Sequence, residues 1–218
     1  CLIVQAHSAR KKHAALITLR NMLSRSNAPF EDVINRGVSN TLCELLSHPD
    51  DDIKVEYLGN SAIISKSPDS SIVQCSQGLI NLSAATEEYS RHVLQAVPLL
   101  IPFIEGENIH LNEHVSKRES LSSSFTINST TCLGLILSGL LVLGNLAGET
   151  SDEFSRVLTG NGLILPLIRL LSRLMQHSPT HVCNEVAWWC MANVSRHLRS
   201  ASWVTQYQAQ GMLLSAAT

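Results

Sequence analysis

Apolar positions along the chain recur in one layout: a long, almost uncharged helix, a short amphipathic helix, and then a further apolar helix. The clearest copy predicts helices over 133–147, 150–158 and 163–174. Gly148 ends the first of these, and Thr150 begins the second, with Glu153 following at the capping-box spacing. Gly160 and Gly162 supply the turn into the third helix. Because strand-like alternation is scarce, the pattern predicts an all-α fold.

The same layout is repeated on both sides of this copy. The first copy has predicted helices over 8–25, 30–35 and 38–47, and the second, which covers about 70–105, begins with a helix over 71–84. The third copy, described above, covers about 131–176. The fourth begins with a helix over 181–199 and continues through 203–210 and from 212 onward. An asparagine lies near the end of a long apolar helix at Asn81, Asn145 and Asn193, with separations of 64 and 48 residues. Repeats of about 40–47 residues are typical of HEAT and armadillo solenoids. The first separation is too long for that range and indicates an insertion.

Two stretches do not fit the repeat and are predicted to be insertions. Residues 106–130 are rich in Ser, Thr, Asn and Glu, which is typical of a surface loop, and they account for the long first separation. Residues 50–69 are broken by Pro68 and predict no clear form. The chain begins at Cys1 and ends in an incomplete copy, so we expect one repeat domain over 1–218 that is part of a longer array.

Composition narrows the possible classes of function. Of the 218 residues, 44% are hydrophobic and only 5% aromatic, which suits closely packed helices. A formal net charge of −2 argues against a general nucleic-acid binder. The six cysteines form no CxxC pair, so we expect buried free thiols and a reducing compartment. The apolar run 133–143 is shorter than the about 20 residues of a membrane span and is interpreted as a buried helix.

The sequence offers little for catalysis. His110, Glu113 and His114 fit an H-x-x-E-H metalloprotease pattern, but they lie in the polar insertion, and we interpret the match as chance. No glycine-rich phosphate loop follows a strand, and no nucleophile elbow occurs. We therefore predict that the chain is not an enzyme and uses no metal and no cofactor.

Three segments resemble the armadillo repeats of the importin alpha (karyopherin alpha) family. They are LRNMLSRSNAPFEDVINRG (19–37), LLVLGNLAGETSDEFSRVL (140–158) and NEVAWWCMANVSR (184–196), and the resemblance spans nearly the whole chain outside the two insertions. It implies an all-α, right-handed armadillo superhelix of about four repeats. In that family the third helix of each repeat lines a concave groove that holds an extended peptide.

The resemblance implies roles for the asparagines and for one tryptophan. The amides of Asn81, Asn145 and Asn193 match those that pair with the N–H and C=O groups of an extended peptide. Trp189 lies four residues before Asn193 and therefore shares its helix face. There it would form a wall for the aliphatic stem and the charged head of a lysine.

Other positions complete the implied site or depart from it. Glu149 matches an acidic residue that pairs with the key lysine, Ser90 matches a hydroxyl that helps to hold that lysine, and Arg196 matches an arginine that borders the groove. Gln77 and Leu141 stand where the family has tryptophan, so two of the three lysine slots lack their aromatic wall. We expect weaker binding of simple basic signals, or a different preferred peptide.

The leading hypothesis is an adaptor that binds the nuclear localisation signals of cargo proteins for nuclear import. Its partners would be Lys/Arg-rich peptide segments, and importin beta through a segment outside this chain, and it would reside in cytoplasm and nucleus. The alternative is an armadillo protein-interaction scaffold without a transport role. Plainer structural roles also stay open: the asparagines as helix caps or as bridges between helices, Glu149 as a solvated cap residue, and Trp188 as a core residue beside an exposed Trp189.

Overall fold

The computed structural model describes residues 9–47, 71–105, 130–177 and 182–198. These ranges contain helices and turns and no strand. The helices are α1 (Ala9–Leu23), α2 (Phe30–Asn35), α3 (Val38–Leu46), α4 (Ser71–Ser83), α5 (Glu87–Ser90), a 3₁₀ helix (Arg91–Ala96), α6 (Val97–Glu105), α7 (Thr130–Leu146), α8 (Asp152–Gly160), α9 (Ile164–His177) and α10 (Val182–Leu198). The predicted insertion at 50–69, most of the one at 106–130, the H-x-x-E-H pattern and the helices predicted after 203 lie outside the described residues.

The helices form two main layers. The long helices α1, α4, α7 and α10, here called the long-helix layer, pack side by side in that order. The second layer consists of α3, α6 and α9, which pack against α4, α7 and α10 respectively. Each of the first three long helices is thus followed by a short helix and a second-layer helix. This order confirms the predicted fold class, an all-α solenoid of the armadillo kind.

The short helices bind neighbouring repeats to one another. Phe30 of α2 stacks on Tyr89 of α5, with ring centroids 5.4 Å apart and an interplanar angle of 27°. In the second layer, Arg173 of α9 donates to the backbone carbonyl of Ile104 at the end of α6, over 3.1 Å. Such contacts between successive repeats are what stabilises a solenoid, because each repeat touches only its neighbours.

The apolar α7 is a core helix, as its composition predicted. Leu140, Val142, Leu143 and Leu146 have no exposed surface, and they contribute to one continuous hydrophobic core. Burying each such side chain contributes about 1.5–3 kcal/mol to stability. None of the described helices is by itself long and apolar enough to cross a membrane. Only α8 and α9 taken together, bent by 70° at their junction, reach the length and apolar composition of a span.

One predicted N-cap, Thr150, is wrong by one residue. The second helix of the third copy begins at Asp152 rather than at Thr150, and Ser151 is its N-cap. Ser151 has the extended backbone of an N-cap (φ −70°, ψ 137°), and its hydroxyl accepts the N–H of Glu153 over 3.4 Å. The other predicted bounds agree with the structure to within three residues, and Gly162 has the positive φ of 75° expected of a turn.

The expected burial of Trp188 is also wrong. Trp188 is 46% exposed and Trp189 is 41% exposed. Neighbouring residues on a helix point about 100° apart, so the two rings occupy different sides of α10. Within the described ranges α10 is the last long helix, and no described helix covers the side on which Trp188 lies.

Ser151→Ala is expected to lower the free energy of unfolding by about 1 kcal/mol, because the N–H of Glu153 loses its capping acceptor. Thr150→Ala is the matched control, since Thr150 is exposed and precedes the cap, and it should change stability by less than about 0.5 kcal/mol. Urea denaturation followed by circular dichroism measures both. Equal losses in the two variants would contradict the assignment of Ser151 as the cap.

Four cysteines, Cys43, Cys75, Cys183 and Cys190, are buried thiols outside any disulfide, as predicted. Burial raises the pKa of the Cys75 thiol from 9.0 to about 12, with a smaller contribution from Cys43. Burial raises the pKa of the Cys190 thiol to about 12 as well. Thiols that resist ionisation in the folded chain are poor nucleophiles and structural in character.

These raised pKa values predict a loss of stability at high pH. Below pH 9.0 the Cys190 thiol is protonated in both the folded and the unfolded chain, whereas between pH 9.0 and about 12 it loses its proton only in the unfolded chain. The free energy of unfolding should therefore fall with rising pH by up to about 1.4 kcal/mol per pH unit for each such thiol. Cys190→Ala should show a shallower fall in urea titrations at pH 8 to 10.5, and an unchanged slope would contradict the shift.

Candidate functional site

Each predicted asparagine joins its own long helix to the preceding one. Nδ2 of Asn193 on α10 donates to the carbonyl of Gly144 on α7 over 2.8 Å. Nδ2 of Asn81 on α4 makes a longer contact, 3.4 Å, with the carbonyl of Arg20 on α1. The amides therefore bridge neighbouring helices, which was one of the roles left open by the sequence.

The third bridge passes through a hydroxyl group. Nδ2 of Asn145 on α7 donates to Oγ of Ser83 over 3.1 Å, and that hydroxyl donates to the carbonyl of Ile80 over 2.9 Å. Ile80 directly precedes Asn81, just as Gly144 directly precedes Asn145. All three amides are thus directed to the carbonyl of the residue that precedes an asparagine on the preceding helix. For Asn145, the hydroxyl of Ser83 lies between the amide and that carbonyl.

This register reveals a fourth member that the sequence analysis missed. Arg20, the acceptor for Asn81, directly precedes Asn21 on α1. The asparagine row therefore comprises Asn21, Asn81, Asn145 and Asn193. The signal was present in the sequence, because Asn21 also lies near the end of a long helix, 60 residues before Asn81. Asn21 was missed because α1 carries several charged residues, among them Lys11, Lys12 and Arg20, and therefore does not match the uncharged long helix of the other copies.

The asparagine row lies on the side of the long helices that faces away from the second layer. On α7, Leu137, Leu141 and Asn145 are half-buried at four-residue spacing, while Leu140 and Leu143 on the other side are fully buried. The partly exposed positions along this side are Gln77, Ile80, Asn81 and Ala84 on α4, Leu137, Leu141, Asn145 and Gly148 on and after α7, and Glu185, Trp189, Ala192, Asn193 and Arg196 on α10. We call this surface the long-helix face.

The bridging bonds leave hydrogen-bonding capacity in each amide. A primary amide has two N–H donors and an oxygen that accepts, and a bridge uses only one donor. Among the described residues, Oδ1 of Asn81 and Oδ1 of Asn145 accept no hydrogen bond. Oδ1 of Asn193 accepts from Nη2 of Arg196 over 2.6 Å, and Oδ1 of Asn21 from Nη2 of Arg20 over 3.0 Å. The two middle amides are therefore the best prepared to pair with an added peptide backbone.

The three positions that lie four residues before an asparagine, here called the wall positions, carry different side chains. Gln77 and Leu141 are half-buried, each four residues before its asparagine, and neither has an aromatic ring. Trp189 is the single aromatic wall among the three, and its six-membered ring lies directly against Gly144 of α7. The described face thus holds one aromatic slot, between α7 and α10.

Glu149 and Ser90 form a hydrogen bond between the turn after α7 and the end of α5. Oγ of Ser90, which has no exposed surface, donates to Oε1 of Glu149 over 2.9 Å. Ser90 ends α5, and Glu149 follows α7, so the bond joins two repeats across 59 residues of sequence. Glu149 lies four residues after Asn145, and its second carboxylate oxygen can accept from an added donor. The structure therefore brings together these two residues, which the resemblance alone had paired.

A more exposed charged group lies beside this pair. Nε of Arg91 lies 2.9 Å from Oε2 of Glu153, and its Nη2 lies 3.0 Å from Oε1 of Glu87. The side chain of Arg91 is 50% exposed, so water screens these ion pairs and they contribute little to stability. No group of three potential metal ligands occurs within the described ranges.

Charge on the long-helix face is sparse. The half-buried positions of α4 and α7 on this face carry no charged side chain, and Glu149 follows directly after them. On α10 the face holds Glu185 and Arg196, one of each sign. The middle of the face therefore offers amides, aliphatic groups and one carboxylate, rather than a row of acids.

No family model matches the chain, and no curated protein matches it. Among solved structures, an engineered protein from the Northeast Structural Genomics Consortium aligns with 99% of this chain at 15% identity, with a TM-score of 0.60. The chain spans 39% of the length of that protein. At this identity the likeness concerns the fold alone.

Two further solved structures align at lower scores. A second engineered protein from the same consortium aligns with 98% of the chain at 16% identity, with a TM-score of 0.46. A designed armadillo repeat protein in complex with the peptide (KR)4 aligns with 88% of the chain and 96% of its own length, at 13% identity and a TM-score of 0.28. These scores are too low to compare sites.

The Ser90–Glu149 bond is expected to couple the two residues energetically. Ser90→Ala, Glu149→Ala and the double variant should give a coupling energy of about 1 kcal/mol, because a buried hydroxyl loses its charged acceptor. Arg91→Ala with Glu153→Ala is the control pair, and its exposed ions should couple by less than about 0.5 kcal/mol. Denaturation by urea measures both cycles, and a Ser90–Glu149 coupling no larger than that of the control pair would contradict this account.

Proposed function

We propose that this protein is an armadillo scaffold that binds an extended peptide segment along the long-helix face. The observation that carries the proposal is the asparagine row. Its amides are spaced one per long helix and oriented by bonds to the preceding helix, with Oδ1 of Asn81 and Asn145 left to accept. An extended backbone presents N–H and C=O groups at regular intervals, which such amides can pair with regardless of sequence.

The slot between α7 and α10 supports recognition of one lysine. Leu141, Asn145 and Glu149 follow one another at four-residue spacing along α7 and just beyond it. Trp189 contacts α7 at Gly144 and forms the opposite wall. An aliphatic stem can pack on Leu141, while the ammonium group meets the indole face and the free oxygen of Glu149.

The rest of the face favours uncharged side chains. Gln77, Ile80 and Leu141 offer hydrogen-bonding and aliphatic surface where a uniformly basic peptide would need aromatic or acidic partners. We therefore propose a ligand with a single anchoring lysine among polar and aliphatic residues. This preference supports the interaction scaffold more than a receptor for simple basic signals.

A role in nuclear import is the narrower form of the proposal. It would add cargo proteins with a basic localisation signal, carriage by importin beta through a segment outside this chain, and passage between cytoplasm and nucleus. It rests on the sequence resemblance together with the Glu149–Ser90 pair, which has the polarity that a lysine site requires.

Two fluorescein-labelled peptides of equal length test the proposal: one alternates Lys and Arg, and the other has one central Lys among Ser, Thr and Leu. We expect the single-lysine peptide to bind in fluorescence polarisation. Asn145→Ala should weaken binding of this peptide about 5- to 10-fold, because loss of the amide leaves two backbone groups of the peptide unpaired. Glu149→Lys should weaken it more, by repulsion of the ammonium group.

Asn161→Ala is the matched control, since Asn161 is exposed at the end of α8 and bonds only to the carbonyl of Val157 in its own turn. It should bind both peptides as the wild type does. Tighter binding of the alternating basic peptide would favour the import adaptor over the scaffold. Binding that is absent, or insensitive to both Asn145→Ala and Glu149→Lys, would reject the proposed function.

A further inference from the structure

Gly144 is the point at which the aromatic wall meets its neighbouring helix. A β-carbon added there would lie 2.7 Å from Cε3 and 2.9 Å from Cη2 of Trp189, and closer still to Cζ3. Distances below 3.0 Å are not found between real β-carbons and their neighbours, and here the obstruction is a rigid ring. Any side chain at this position would therefore force Trp189 or α10 to move.

The same residue also anchors the amide of the slot. The carbonyl of Gly144 accepts Nδ2 of Asn193 over 2.8 Å, four residues after Trp189 on α10. His197, a further four residues along, places Nε2 2.9 Å from the carbonyl of Ala147. The two helices thus run in the same direction, and their close approach at Gly144 fixes the wall and the amide together.

The equivalent positions on the two earlier long helices hold larger residues. Ile80 precedes Asn81, and Arg20 precedes Asn21, where Gly144 precedes Asn145. The facing wall positions are Leu141 and Gln77 rather than tryptophan. At the Ile80 position the amide of Asn145 does not reach the carbonyl directly: it donates to Oγ of Ser83, which donates to the carbonyl of Ile80.

We propose that Gly144 is a positioning residue that sets the orientation of Trp189 and so determines that the slot between α7 and α10 accepts a lysine. By the same reasoning, the residue before each asparagine limits the size of the side chain that the next long helix can carry four residues before its own asparagine. The specificity of the long-helix face is then encoded in pairs of residues on neighbouring helices. The lysine ligand in this inference rests on the proposed function, whereas the contact between Gly144 and Trp189 does not.

A stability cycle tests the contact without any ligand. Gly144→Ala should lower the urea midpoint in the wild-type chain, because the added methyl group meets the indole ring. In a Trp189→Ala background the same change should raise the midpoint, because alanine favours a helix over glycine. Gly134→Ala, on the same helix with no described atom within 4 Å of the added carbon, should raise the midpoint in both backgrounds. A fall of similar size in both backgrounds for Gly144→Ala would overturn the proposal. So would a rise in both.

A binding comparison then tests the consequence for specificity. The probe is the single-lysine peptide and its analogue with norleucine, which keeps the aliphatic stem without the charge. The wild type should prefer lysine, with a contribution of about 2- to 5-fold from the indole. Gly144→Ala and Trp189→Ala should both lose that contribution, whereas Gly134→Ala should keep it.

The two failures are distinguishable. If neither peptide binds the wild type, the proposed function falls, while the stability cycle still decides whether Gly144 positions Trp189. If both peptides bind and Gly144→Ala keeps the full preference for lysine, the positioning role is overturned even though peptide binding stands. If Gly144→Ala does not fold but Gly144→Ala with Trp189→Ala does, the contact is supported.

Discussion

Hydrogen bonds from asparagine side chains to the end of the preceding helix join the members of the long-helix layer. The last four carbonyls of a helix lack partners within it, and burial without a donor costs about 1–3 kcal/mol each. Gly144 lies in the last turn of α7, and its carbonyl is supplied by Asn193 of the next helix. Arg20 and Ile80 have equivalent places in α1 and α4, but their carbonyls also accept the backbone N–H groups of Ser24 and Ala84, so Asn81 and the Ser83 hydroxyl are additional donors there. The asparagines near the ends of α4, α7 and α10 therefore join each of these helices to the preceding one, whether or not a peptide is bound.

This structural role does not compete with ligand binding, because an amide has more than one polar group. The bridge holds the side chain in a fixed orientation, and the second N–H and the oxygen remain for another partner. Preorganised donors and acceptors bind more tightly than mobile ones, since less conformational entropy is lost on binding. In the same way, the bond from Ser90 to Glu149 fixes one carboxylate oxygen and leaves the other. Stability and recognition thus use different atoms of the same residues.

The sequence predicted the helices well, because a long apolar run ended by glycine, as at Gly148, and a glycine turn between two helices, as at Gly162, admit few alternatives. It predicted Asn81, Asn145 and Asn193 as one set, since equal positions in equivalent helices must share a face. It missed Asn21, which lies in a more polar helix, and it placed the cap at Thr150 rather than Ser151, because two adjacent hydroxyl residues are equally good candidates. It also could not predict the Gly144–Trp189 contact or the exposure of Trp188, since both depend on which helix lies alongside α10.

The central claim is that the asparagine row forms one peptide-binding surface, and nitrogen-15 NMR of side-chain amides tests it most directly. As the single-lysine peptide is added, the NH₂ signals of Asn81, Asn145 and Asn193 should shift together with one common saturation curve. The NH₂ signal of Asn161, which bonds within its own turn on α8, should stay in place. Signals of the row that do not move, or that move no more than that of Asn161, would contradict the account.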